Sequence, residues 1–238
     1  MSITILTEIV KYLAAVLLGV LLGNAAVYFF NKMPASWFCD YGEEPTEAMK
    51  DTSTQRIKST PWKYLLSMLF VAAGVYLVRD DWMYAVAVVL VLWILTELAA
   101  ADLKFRIIPD QLVILLAVSS LGFIQYHENW KSMLFGAAAG FALMGATALL
   151  GKFAYRRDAV GGGDVKLFAA LGLVTGLWGI LTVFALTALI SGGHMVWLLA
   201  RKKVKKTDTV PMVPYIAVSA GIYLIFLHAH IDLLIMNL

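Results

Sequence analysis

Apolar stretches of seventeen or more residues recur along this 238-residue chain, and no other property limits its fold so strongly. A helix needs about 17–25 such residues to cross a hydrocarbon layer roughly 30 Å thick. The expected spans are 12–30, 62–78, 82–101, 112–126, 133–153 and 213–231, with polar turns between them at 79–81 and 127–132. The run from Val165 to Ala200 is too long for one straight span, since its 36 residues would make a helix of ~54 Å. A break between Thr175 and Gly179 divides it into two. The first span is too long and too rich in glycine to read as a cleaved signal. The expectation is an all-α polytopic membrane protein, a bundle of about eight transmembrane helices. Its parts are a first span within 1–30, a short cytoplasmic segment at 31–61 and a transmembrane catalytic bundle over 62–238.

Composition agrees. The chain is 61% hydrophobic and 15% charged, with mean hydropathy +0.80, whereas soluble domains carry roughly 25% charged residues. A water-soluble monomer, a disordered chain and a disulfide scaffold are excluded. The single cysteine, Cys39, forms no internal disulfide and alone makes no structural zinc site. A net charge of +3 gives no reason to expect nucleic acid as a partner. The positions of the basic residues say more. If the loops are numbered with 31–63 on one side, that side collects Lys32, Lys50, Arg56, Lys58, Lys63, Lys104, Arg106, Lys152, Arg156, Arg157, Lys166 and the cluster from Arg201 to Lys206. These are sixteen of the nineteen lysines and arginines, and only Lys11, Arg79 and Lys131 fall opposite. The positive-inside rule makes the rich side cytoplasmic and puts both termini outside. Three Gly-x-x-x-Gly pairs, Gly19/Gly23, Gly136/Gly140 and Gly172/Gly176, mark faces where helix backbones can approach closely.

Acids at membrane depth cost at least ~2.5 kcal/mol and are functional by default. Most of the sixteen acids lie in loops or near the outer face; Glu97, Asp102, Asp110 and Asp164 do not. Asp102 ends one span and Asp164 begins another, so both belong at the cytoplasmic edge of the bilayer. Two carboxylates at one depth suit an aspartic hydrolase. Like charges a few Å apart cannot both ionise, so one takes a proton from water while the other donates to a carbonyl. Gly161, Gly162 and Gly163 before Asp164 leave room for a substrate strand to approach the backbone. The competing readings are a phosphate-cradling loop, which lacks the Walker ending, and a plain turn capped by Asp164. Asp110, after Pro109, is expected to cap the next helix, Glu97 to pair with a buried polar group, and His194 to be hydrogen-bonded rather than a ligand. Lys166 either biases Asp164, meets an acidic substrate group or snorkels to the interface. The Arg201–Lys206 cluster suits contact with anionic lipid. A different class of function, proton-coupled transport relayed by Glu97, Asp102 and Asp164, is weakened by the lack of a repeat. A non-catalytic assembly protein is a third reading.

Two separated motifs then point to a family. The segment Ala101-Asp102-Leu103-Lys104-Phe105-Arg106-Ile107-Ile108-Pro109-Asp110 resembles the first aspartate motif of type IV prepilin peptidases. The segment from Val160 through Gly161-Gly162-Gly163-Asp164 to Leu167 resembles their Gly-x-Gly-Asp motif. The segment Val210-Pro211-Met212-Val213-Pro214-Tyr215 is similar to a late Ile-Pro-Phe-Gly-Pro stretch of that family, with Met-Val replacing Phe-Gly. The stretches Leu22-Gly23-Asn24 and Lys32-Met33-Pro34 resemble its first span and exit. The resemblance implies an aspartic endopeptidase of the inner membrane, serving type IV pilus or type II secretion systems. It would cut the leader of prepilins or pseudopilins after a glycine on the cytoplasmic side, with Asp102 and Asp164 as the catalytic pair. Gly161, Gly162, Gly163, Lys166, Pro109 and Asp110 would support substrate and loop. Archaeal preflagellin peptidases share these motifs. Many members also bind zinc through two cysteine pairs and methylate the new N-terminus from S-adenosylmethionine. Here Cys39 stands alone in a short loop, so no metal is expected. S-adenosylmethionine would be a cofactor only if methyl transfer is retained. The implied partners are a prepilin or pseudopilin and the lipid bilayer.

Overall fold

A computed structural model describes residues 3–39, 42–45, 50, 55–155, 161–203 and 210–229. Every regular element among them is helical. Helix α1 is Ile3–Lys32, followed by a short 3-10 turn at Ala35–Phe38. Helix α2 is Ser59–Leu77 and α3 is Trp82–Phe105. Helix α4, Asp110–Ser119, tightens into a 3-10 segment at Ser120–Tyr126. Helix α5 is Trp130–Tyr155 and α6 is Gly162–Ala200. Helix α7, Val213–Ile222, widens into a π-helical turn at Tyr223–Leu227. Four stretches are long and apolar enough to cross a membrane: Thr4–Lys32, Trp82–Phe105, Trp130–Phe153 and Gly162–Ala200. The expected spans 112–126 and 213–231 fall on shorter apolar helices and 62–78 falls on α2; the end of 213–231 lies outside the described residues, as do Arg156, Arg157, Lys205 and Lys206.

The chain divides into two compact units, Met1–Glu97 and Leu98–Leu238, with the division inside α3. In the first unit, Gly19 and Gly23 let α1 meet α2 at backbone distance. A Cβ on Gly19 would lie 2.6 Å from the amide nitrogen of Val71, and one on Gly23 would collide with Ser67. The chain entering α2 closes over the end of α1. Arg56 donates from Nη1 to the carbonyls of Phe30 (3.1 Å) and Met33 (2.6 Å). Asn31 and Ile57 exchange two hydrogen bonds, at 2.9 and 3.0 Å. Burial pushes the Arg56 guanidinium below its ordinary value, and the carbonyl partners offset that cost.

In the second unit, α6 folds back on itself. The rings of Phe168 and Phe184 lie 6.0 Å apart between centroids, where a straight helix would separate sixteen residues by ~24 Å. The bend is at Gly176, whose φ of 69° and ψ of −177° are open essentially to glycine alone. This is the break that the length of the run demands. A break in the helix frees backbone groups, and buried ones must find partners. The Val174 carbonyl accepts from His127 Nε2 at 3.0 Å, which fixes that nitrogen as the protonated one. The Thr175 carbonyl accepts from the Tyr223 hydroxyl at 3.4 Å, and the Leu177 N–H donates to Ser132 Oγ at 3.4 Å. Helix α5 lies against both arms of the hairpin. Gly136 meets the backbone of Gly172 and Gly176, and Gly140 meets the Phe168 carbonyl and the Ile180 side chain. All three glycine pairs therefore serve close helix contact.

Candidate active site

The second unit brings the two motif segments together. Asp102 sits in the last turn of α3, where Arg106 ends the helix with φ 59° and donates its N–H to the Asp102 carbonyl at 3.0 Å. The chain then runs out through Ile107, Ile108 and Pro109 to α4. Helix α6 starts at Gly162 with Gly161 in extended conformation before it. Asp164 is therefore the third residue of the first turn and not the cap itself. Its Oδ2 accepts the Gly161 N–H at 3.2 Å, a contact that steadies the glycine turn.

Three contacts join these pieces. The Ile108 side chain packs against Gly163, where an added Cβ would lie 3.0 Å from it. Lys166 donates to both carboxylate oxygens of Asp110 at 3.0 Å each. The third contact comes from α7: the Val213 N–H donates to Asp102 Oδ2 at 2.9 Å, in a buried position. Asp102 is only 8% exposed. The Asp102 charge acts on the Asp164 carboxyl, and the Arg106 charge acts on Asp102. The arrangement holds two interacting carboxyl groups on different helices, beside a glycine turn whose Gly162 has open space around it. Such a pair can activate water and polarise a carbonyl.

Several expectations change. Asp110 does not cap α4. Pro109 occupies the cap position without a side-chain hydrogen bond, and Asp110, the first helical residue, is drawn to Lys166. An opposite charge within 3.0 Å outweighs the weaker capping interaction. Lys166 is accordingly engaged by Asp110. Glu97, expected to be paired, is 1% exposed, and its Oε1 has no hydrogen-bond partner among the described residues. His194 is hydrogen-bonded, to the Tyr215 hydroxyl, and stacks on Trp197. Arg201 and Lys203 also lie over Trp197, at 5.5 and 5.3 Å from the ring centre. No group of three His, Cys, Asp or Glu among the described residues is arranged to hold a metal. The Val213 amide was not foreseen, because a backbone donor has no signature of its own; the only hint was the pair of prolines around it.

This is a helical carboxylate-pair site, and the known proteins that resemble the chain fall in one class. Residues 89–196 match the model of a family described as the type IV leader peptidase family. A prepilin leader peptidase/N-methyltransferase of Xanthomonas campestris is 30% identical over 167 residues, covering 68% of this chain and 57% of that protein. Its counterpart in Bacillus subtilis is 30% identical over 162 residues, covering 67% and 62%. One from Vibrio cholerae is 27% identical over 158 residues, covering 65% and 61%. No solved structure matches. Through residues 89–196 the chain belongs to the type IV leader peptidase family. It spans about three fifths of the length of these curated relatives.

Proposed function

We propose that the chain is a membrane aspartic endopeptidase that removes the leader from type IV prepilins or pseudopilins, with Asp102 and Asp164 as its catalytic pair. The observation that carries this reading is the convergence of both aspartate segments in one unit, where the charge of one carboxyl acts on the other. The names of the relatives supply the substrate class. In the reaction one carboxylate takes a proton from water, whose oxygen bonds to the scissile carbonyl carbon. The other carboxyl gives its proton to the carbonyl oxygen. On collapse the C–N bond breaks, the first carboxyl returns its proton to the leaving amine, and the second recovers its own. Neither a metal nor another cofactor takes part. Gly162 and its neighbours leave the backbone open to an extended substrate, and the Asp110–Lys166 pair ties the two supporting segments together.

The wider reading places eight spans in the inner membrane, with both termini outside and the carboxyl pair at the cytoplasmic face, where the basic loops lie. There the cut would follow a glycine. S-adenosylmethionine enters only if methyl transfer, half of the relatives' name, accompanies cleavage.

The test is incubation of the purified chain with a prepilin in lipid, read by mass spectrometry. Cleavage at the leader junction that is lost in Asp102→Asn and Asp164→Asn is expected. Wild-type cleavage by either variant overturns the pair. The same spectra show whether a methyl group is added, and an archaeal preflagellin as substrate separates that narrower alternative. One observation favours a second reading: Glu97 is buried with an unpartnered oxygen, as in a proton relay. Proton-linked uptake into vesicles, with prepilin left uncut, would establish transport instead.

A further inference from the structure

The two aspartates are held in unequal ways, and this inequality assigns their roles. Helix α7 begins at Val213, with Met212 as the residue before it. The N–H groups of a first helical turn have no acceptor within the helix. Pro211 and Pro214 have no N–H at all, so the segment's donors are those of Met212 and Val213. Both act on the Asp102 carboxylate, the latter at 2.9 Å in a buried setting. The positive end of the α7 dipole lies at the same oxygen. The Arg106 charge adds to these. Among the described residues, Asp164 receives only the Gly161 N–H, at 3.2 Å and exposed. Of the remaining charged groups of the motif segments, Asp110 and Lys166 are taken up with each other and Lys104 lies over the Phe105 ring.

Resting on the peptidase reading, we propose that the start of α7 fixes Asp102 as the ionised member of the pair, the base that takes a proton from water, and leaves Asp164 as the proton donor to the scissile carbonyl. Water gives its proton to Asp102 as its oxygen bonds to the carbonyl carbon, and Asp164 passes its proton to the carbonyl oxygen. When the C–N bond breaks, the proton on Asp102 leaves with the amine and the one from the new hydroxyl returns to Asp164. Met212 and Val213 are positioning residues that act through their backbone.

The experiment replaces Val213 by its α-hydroxy acid counterpart, which turns one amide into an ester, removes that N–H and weakens the Met212 carbonyl as an acceptor. The donor makes no helical bond, but the weakened carbonyl accepts from the Tyr215 and Ile216 N–H groups, a loss of the kind that the Val218 ester reproduces away from Asp102. Without the donor the Asp102 carboxylate holds its proton more tightly. The acid limb of the cleavage–pH profile is expected to move to higher pH by roughly one to two pH units, with the alkaline limb in place. The same ester at Val218, an exposed helical position, leaves both limbs where they are. Val213→Ala keeps the amide, so its acid limb stays put whatever happens to its rate. Val213→Pro removes the same N–H genetically and carries the test if the ester chain does not insert. An unmoved acid limb, or a shift of the alkaline limb instead, overturns the assignment while leaving the peptidase reading intact. Full cleavage by Asp102→Asn would defeat that reading itself.

Discussion

The two ends of the α6 hairpin are both built on glycine and behave as opposites. At the Gly161–Asp164 end, a side chain at Gly162 would touch nothing within 4 Å, and Gly161 and Asp164 close the turn through two hydrogen bonds, at 3.2 and 3.1 Å, with Ile108 against Gly163. At the Gly176 end, a side chain would strike His127 and Ser132, and three backbone groups around the break, the Val174 and Thr175 carbonyls and the Leu177 N–H, have side-chain partners. Glycine at the first end makes space for a visitor. At the second it makes space for the protein's own backbone. Chemistry belongs where the backbone is open, and stability where it is filled.

The sharpest way to break this contrast is to exchange the effects of substitutions at the two ends. Asp164→Asn is expected to lower prepilin cleavage by about 10³-fold, the scale of a lost acid–base group, with no change in unfolding temperature in detergent. Gly176→Ala is expected to destabilise the fold by about 3 kcal/mol in reversible unfolding, because its backbone angles suit glycine and its surroundings are full. Gly172→Ala follows at about 2 kcal/mol, since the new methyl meets the backbone of Gly136, which has no side chain to rotate away. His127→Ala leaves the Val174 carbonyl without its donor and costs about 1 kcal/mol by the same measurement. Gly162→Ala changes stability least, by less than ~0.5 kcal/mol. Its effect appears as a raised KM if a substrate strand lies against that turn. A Gly162→Ala chain as damaged in stability as Gly176→Ala would erase the distinction.

The features legible in the sequence were those whose cost is local. The length of the Val165–Ala200 run against the bilayer demanded a break, and Gly176 supplies it. The Gly-x-x-x-Gly pairs announced close packing, since nothing but a missing side chain permits it. Asp102 and Asp164 stood out because acids are expensive at that depth. Features set by distant partners stayed hidden. The preference of Asp110 for Lys166 spans 56 residues and defeats a local capping rule. The hydrogen bond from Val213 to Asp102 spans 111 residues and uses a backbone N–H, which every residue but proline carries. The unpartnered oxygen of Glu97 is visible only when its surroundings are known.

The hydroxyl of Tyr223 on the Thr175 carbonyl also bears on how the chain is made. The hairpin emerges from the ribosome before α7, so the Thr175 carbonyl at its bend waits for its partner until α7 and the turn after it have been synthesised and have docked. Assembly of this region is thereby ordered in time: the turn settles only on arrival of the same helix whose first residue grips Asp102, so a truncated chain would lack both the finished bend and the finished site.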